Sequence, residues 1–258
     1  MTQHAIVSVS PLMNYQAFAV MLTRAQEKLH EAKAQSNFEE ECRAEYYRVI
    51  DGGIDAQGVA TINIVGEIYE AHPWIALWCG LAVPSVIAKV IKRYDDDKAC
   101  SAICINFTTG GGSISAVPEL ADMIYNCSKP TTAVVREQCC SAGYWLASQC
   151  DTIVATRGAT VGALGVYIAL TDYSAMLNDA GVKTHLISTS ELKGLGEFGV
   201  ALSEAQIKFL QSYVNRSGEM FLSDIKRKRP TFDASLFNGA FWHSEDALDL
   251  GVIDDVLI

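Results

Sequence analysis

Ser101-Ala-Ile-Cys-Ile-Asn-Phe107 runs straight into Thr108-Thr109-Gly110-Gly111-Gly112. The first seven residues read as a strand. The glycines that close it can adopt positive φ, which other residues resist, and so expose backbone N–H groups. A helix is expected next, Ala116–Tyr125, and Lys129-Pro130 then breaks the chain. Thr131–Arg136 reads as a second strand, a helix follows from at or near Ser141, and Thr152–Thr156 is a third strand. Strand, glycine turn, helix and strand again is the rhythm of crossover-connected parallel sheets. This stretch sets the expected class as α/β.

Working outward, Val59-Ala-Thr-Ile-Asn-Ile-Val65 alternates and is rich in β-branched residues, so it is expected to open the core sheet. Val86–Tyr94 reads as a helix, closed by a solvated acidic turn, Asp95-Asp-Asp-Lys98. Earlier still, Phe18, Met21, Leu22, Ala25 and Leu29 recur at helical spacing over residues 14–34, and Asp51-Gly52-Gly53 reads as a turn. Residues 1–55 are therefore expected to form an N-terminal helical appendage, and 56–258 the main domain. Downstream, Ser203-Glu-Ala-Gln206 has the form of a capping box. Ile207, Leu210, Val214, Phe221 and Ile225 then mark one face of a long helix, which ends at Lys226-Arg-Lys-Arg229 before Pro230. Those cations complement a helix C-terminus; a nucleic-acid patch is the weaker account.

The 258 residues carry a formal charge of −10, and half are hydrophobic. A sizeable core is within reach, whereas generic binding to nucleic acid or anionic membrane needs a basic surface that this composition lacks. Eight cysteines are present, but their spacing suggests neither a disulfide framework nor a zinc site, so reduced and mostly buried thiols are expected. The five histidines are scattered. The apolar run from Pro73 to Val90 is interrupted by Gly80, Pro84 and Ser85, too soon to span a bilayer. No secretory signal is read, so a cytoplasmic location is expected.

Chemistry concentrates at two places. Ser141 lies in Cys139-Cys140-Ser141-Ala142-Gly143, after a buried strand and at a helix start, where small neighbours admit a substrate backbone and the Ala142 N–H can meet an oxyanion. The plain alternative is that Ser141 caps the helix. Lys193 lies in Ser190-Glu-Leu-Lys-Gly-Leu-Gly196. A lysine has a reference pKa of about 10.4 and works as a general base only when burial brings it to about 7–8. Leu192, Leu195 and Phe198 could wall it in, with Glu191 and Glu197 turned outward; a solvated lysine is the plain alternative. Gly110 and Gly111 supply further N–H donors, although a glycine turn can also be only a turn. It lacks both the Walker lysine and the Rossmann spacing.

These motifs are joined by Val161-Gly-Ala-Leu-Gly-Val166 and by a closing stretch, Gly239-Ala-Phe-Trp242 with Ala247-Leu-Asp-Leu-Gly-Val-Ile-Asp254. In that order, from about Val59 to Asp254, the chain resembles the signal peptide peptidase A family of Ser–Lys proteases. Within that family it is most similar to the branch of tailed-phage head (prohead) proteases. The resemblance implies a crotonase-like (ClpP-like) core of spiralling β-β-α units. It implies Ser141 as nucleophile, Lys193 as general base, and Gly110, Gly111 and Ala142 as oxyanion donors. It implies a polypeptide substrate, scaffold or capsid protein in the phage branch, and a ring-like homo-oligomer whose sites are shared between subunits. No metal or other cofactor is implied, and a phage-encoded chain would work in the host cytoplasm or the prohead interior. The chain departs from the family pattern at three places. Thr108-Thr109 replaces Ser-Pro before the glycines, Ala163 stands where a serine can orient the lysine, and Ser190 stands where a glycine precedes the base. The alternatives are a bacterial cytoplasmic relative that degrades peptides, a catalytically silent assembly subunit, and an acyl-CoA enzyme of the same fold.

Overall fold

The structure, a computed structural model, describes residues 38–257; the helix expected over 14–34 lies outside the described residues. Of these, Val166–Met220 form one compact unit and the residues on either side form a second, larger one. The sequence carries no composition shift at Val166 to announce that division.

The larger unit opens with helix α1, Phe38–Ile50, and edge strand β1, Asp51–Ile54. There follow β2 (Val59–Val65), short β3 (Glu67–Ile68), α2 (Pro73–Cys79), short β4 (Leu81–Ala82) and α3 (Pro84–Asp96). After these come β5 (Ala102–Thr109), α4 (Val117–Tyr125), β6 (Thr131–Cys140), α5 (Ala142–Ala147), β7 (Thr152–Thr156) and β8 (Thr160–Gly162). A proline in the first turn starts α2, α3 and α4, where its missing N–H costs nothing. Strands β2, β5, β6 and β7 are parallel neighbours, as the crossover rhythm predicts. Strands β2 and β5 are each followed by a short strand or bridge and then a helix: β3 after β2, the Gly112 bridge to Ile68 after β5. The expected α/β class with strand–strand–helix units is the class the chain adopts.

Alternation decides which strand face is buried. Ala60, Ile62 and Ile64 of β2 and Ile103, Ile105, Phe107 and Thr109 of β5 are buried. The apolar stripes of α3 (Val86, Ile87, Val90, Ile91) and α4 (Val117, Leu120, Ala121, Ile124) complete this core. Within the stretch assigned to an appendage, residues 38–54 pack into it. The Tyr46 hydroxyl, on α1, donates to the Leu81 carbonyl at 2.7 Å and accepts from the Val83 N–H at 2.8 Å. Asp51-Gly52-Gly53, expected as a turn, belongs to β1, which pairs antiparallel with β2 through a bulge. Gly53 takes φ 83 there, the geometry that makes a glycine-rich bulge look like a turn in sequence.

On the edge away from β5, strand β6 has two partners in succession. Thr132–Val135 pair with β7, while Gln138–Cys140 pair with β8. The strand therefore runs four residues past Arg136, where the local pattern alone stops.

In the smaller unit, α6 (Ser174–Asp179) buries no residue. The long helix α7, Glu204–Lys228, begins there. Its capping box is formed: Gln206 Oε1 accepts from the Ser203 N–H at 3.0 Å, and Ser203 Oγ accepts from the Gln206 N–H at 3.3 Å.

The last turns of α7 belong to the larger unit. Phe221 stacks on Trp145 with centroids 4.6 Å apart, and the Trp145 indole N–H donates to Asp224 at 2.8 Å. Most of the basic run is ion-paired. Arg227 pairs with Asp122, Lys228 with Asp151, and Arg229 with Asp254 through two hydrogen bonds. Three of the four cations in that run are thus ion-paired with carboxylates of the larger unit. A 3₁₀ turn (Ala234–Leu236), β9 (Phe241–His243), α8 (Ser244–Asp249) and β10 (Asp255–Leu257) finish the chain. Strand β9 pairs antiparallel with β8, and β10 pairs parallel with β7. Among the described residues, no helix is long and apolar enough to cross a membrane.

Candidate active site

The end of β6 delivers Ser141 into an uncommon conformation, φ 52 and ψ −122. A residue with a Cβ resists positive φ, and this ψ lies outside the left-handed helical basin as well. Three contacts hold the turn. The Ser141 N–H donates to the Gly162 carbonyl at 2.7 Å, the Ser141 carbonyl accepts from the Trp145 N–H at 3.0 Å, and Ala142 through Cys150 are all buried. The hydroxyl makes no capping hydrogen bond to α5, so the plain account of Ser141 as an N-cap does not describe this turn. A sharp, strained turn between a strand and a helix is the geometry that exposes a nucleophilic oxygen.

A second strained residue lies beside it. Cys140 and Gly162 are the last register pair of β6 and β8, and the next residue on each strand, Ser141 and Ala163, has φ 52. The Ala163 N–H donates to the Ala240 carbonyl at 2.6 Å, and the Gly239 N–H to the Leu164 carbonyl at 2.8 Å. The closing motif of the chain thus braces the loop on which Ser141 is anchored.

The glycine turn after β5 meets the same place. A Cβ on Gly111 would come within 2.7 Å of Ser141 Cβ, 2.8 Å of the Cys140 carbonyl and 3.1 Å of the Ala142 nitrogen. Only glycine fits there, and at φ 103 only glycine is unstrained. The structure thus brings together Ser141, Gly111 and Ala142 from separate stretches of sequence. The N–H groups of Gly110 and Ala142 find no acceptor among the described residues. The Gly111 N–H does: it donates to Thr109 Oγ1 at 3.1 Å. Thr109, notable in the sequence only as a departure from proline, is the side chain that the sequence left without a role.

The neighbouring thiols are inert. Burial pushes the Cys140 thiol up to about 11 and holds the Cys139 thiol well above its ordinary range. Neither is a thiolate at neutral pH.

Lys193 belongs to the smaller unit, in a turn over residues 191–196, and is exposed. Within that unit the apolar wall does not close: Leu192 is 42% exposed and Phe198, which packs on Tyr173, is 57% exposed. The turn is nonetheless anchored. Glu191 accepts from the Ser203 hydroxyl at 2.7 Å, and its carbonyl accepts from the Gln206 amide at 2.6 Å, so the capping box of α7 also holds the lysine turn.

The Peptidase family S49 pattern matches residues 125–257, from the end of α4 through Ser141 to β10. The chain belongs to peptidase family S49. Protease 4 of Haemophilus influenzae is 23% identical over 220 residues, 83% of this chain and 34% of that protein. Capsid assembly protease C of Escherichia phage lambda is 24% identical over 204 residues, 78% of this chain and 46% of that protein. The chain thus spans less than half the length of either relative. Among solved structures, an enoyl-CoA hydratase from Shewanella pealeana covers 85% of this chain and 71% of its own, at TM-score 0.48 and 11% identity.

Proposed function

We propose that this S49 chain is a serine endopeptidase with Ser141 as nucleophile and Lys193 as general base. The observation that carries it is the strained Ser141 turn, whose hydroxyl does not cap α5 and whose Cβ, with the Ala142 nitrogen, packs closely on Gly111. Neutral Lys193 takes the Ser141 proton. The serine oxygen bonds to the peptide carbonyl carbon, and the oxyanion forms against the Ala142, Gly110 and Gly111 donors. The C–N bond then breaks, and the leaving amine takes the proton from Lys193. Water activated by the same lysine releases the acyl group from Ser141 and restores the enzyme.

A neutral lysine needs burial, and Lys193 is exposed in the single chain. Its unit also exposes Tyr167, Met176, Ile187, Leu192, Phe198 and Tyr213. These observations favour a ring-like homo-oligomer in which a neighbouring subunit completes the site. The likeness to the lambda capsid assembly protease favours scaffold or capsid protein as the substrate.

Labelling by a fluorophosphonate, read by intact mass, tests the dyad. The native chain should gain one adduct, and Ser141→Ala and Lys193→Ala should each abolish it. A folded oligomer that stays unlabelled across about pH 6–10 would overturn the reading in favour of a silent assembly subunit.

A further inference from the structure

We propose that the Thr109 hydroxyl is a built-in competitor for the oxyanion: it holds the Gly111 N–H, and a substrate carbonyl gains that donor only by displacing it. The inference rests on Ser141 being the nucleophile. Thr109 touches no reacting atom and acts through Gly111, so it is a positioning residue.

The geometry leaves the Thr109 side chain little choice. Thr109 is fully buried, and its place in β5 is set by pairing with Cys139. Its methyl group lies behind the nucleophile turn, where a Cβ on Gly143 would come within 2.5 Å of it. The hydroxyl therefore cannot swing out to solvent, and it accepts from the Gly111 N–H at 3.1 Å. Gly111 is held from its other side too. Its carbonyl accepts from the Ile68 N–H at 2.8 Å, and the Ser113 N–H donates to the Ile68 carbonyl at 2.8 Å. Of the three expected donors, Gly110 and Ala142 have no acceptor among the described residues and Gly111 is engaged. A proline at position 109 would offer no such acceptor.

Valine matches threonine in shape and lacks the hydroxyl. In Thr109→Val the Gly111 N–H is buried without a partner in the resting site, which costs stability. The same N–H is satisfied when an oxyanion forms, which favours reaction. Stability and reactivity should therefore move in opposite directions, whereas a merely structural threonine would lose both together.

The experiment measures the rate of fluorophosphonate labelling and the Tm for wild type, Thr109→Val, Thr109→Ser and Ser141→Ala. Thr109→Val should label at least about tenfold faster than wild type and melt lower. Thr109→Ser, which keeps the hydroxyl, should label at the wild-type rate. Should the valine variant fail to fold, Thr109→Ala gives the same comparison. Labelling of the hydroxyl-less variant at or below the wild-type rate overturns the inference and leaves the Ser141 reading intact. A wild type that does not label, or labels equally in Ser141→Ala, overturns the Ser141 reading and the inference with it.

Discussion

Ser141 is held at φ 52 and ψ −122 by its N–H bond to Gly162 and by the buried helix behind it. A non-glycine residue kept in such a region costs on the order of 1–3 kcal/mol, which the surrounding structure must offset. Glycine removes most of that cost and loses some of the gain to its own chain entropy. Ser141→Gly should therefore raise stability by about 1 kcal/mol and abolish labelling, whereas Ser141→Ala, which keeps the Cβ, should abolish labelling with no such gain. Thermal melts of the two variants side by side check this. Gly111→Ala is the converse case. Its Cβ would press on Ser141 Cβ and the Cys140 carbonyl at 2.7 and 2.8 Å, both at the Ser141 turn. It should lower stability by about 2 kcal/mol or more and stop labelling, read by denaturant titration and intact mass. The sequence named Ser141, Gly111 and Ala142 as site residues from composition, position and resemblance. The strain, and the engagement of Gly111 by Thr109, depend on backbone geometry that composition does not carry.

Helix α7 shows the same division at the scale of an element. Its capping box was readable as Ser203-Glu-Ala-Gln206 because the signal is local, and both reciprocal hydrogen bonds are formed. Ser203→Ala should cost about 1 kcal/mol of stability, by denaturant titration. Because Ser203 also donates to Glu191, the same change should loosen the Lys193 turn, seen as faster amide exchange over residues 190–196. The apolar face read along α7 is covered unevenly: Phe221 and Ile225 are buried, while Ile207 is 53% exposed. Periodicity marks a face without saying how much of it finds a partner. Strand β6 makes a similar point. Its last residues are a strand because β8 and β9 pair beyond them, and those partners lie far along the chain.

Across the whole molecule, the C-terminus is fastened by ion pairs to the core that holds Ser141. Arg229 bonds both oxygens of Asp254, and the Ile153 N–H donates to the same carboxylate at 2.7 Å. Burial alone would raise the Asp254 pKa, but the Arg229 hydrogen bonds and the Ile153 N–H outweigh it and hold the group below its ordinary 3.8. A carboxyl with a lowered folded-state pKa contributes stability that is present above 3.8 and is lost as pH falls through the folded value. Asp151, paired with Lys228, and Asp51, paired with Arg93, are lowered in the same sense. Unfolding free energy should therefore fall steeply below about pH 4, and Asp254→Asn should flatten that slope. At neutral pH the substitution should cost about 2 kcal/mol, less than a fully buried pair, because Asp254 stays two-fifths exposed and Arg229 one-tenth. Chemical denaturation of both proteins between about pH 2 and 7 measures both effects.

Sequence by itself determined the class and the order of elements. Val59–Val65 and Thr152–Thr156 appear as strands with the expected bounds, and Ala116–Tyr125 differs by one residue. Alternation, glycine turns and helix-starting prolines act over a few residues, so they are written where they act. The tertiary structure alone decided that Asp51–Ile54 is a bulged edge strand, that Val166–Met220 form a unit of their own, and that Ser141 and Ala163 share a strained conformation. Each of these depends on a partner distant in the chain: β2 for the edge strand, Gly162 for Ser141, Ala240 for Ala163. A backbone conformation imposed by long-range hydrogen bonds leaves no period and no composition behind, which is why it is visible only once the chain has folded.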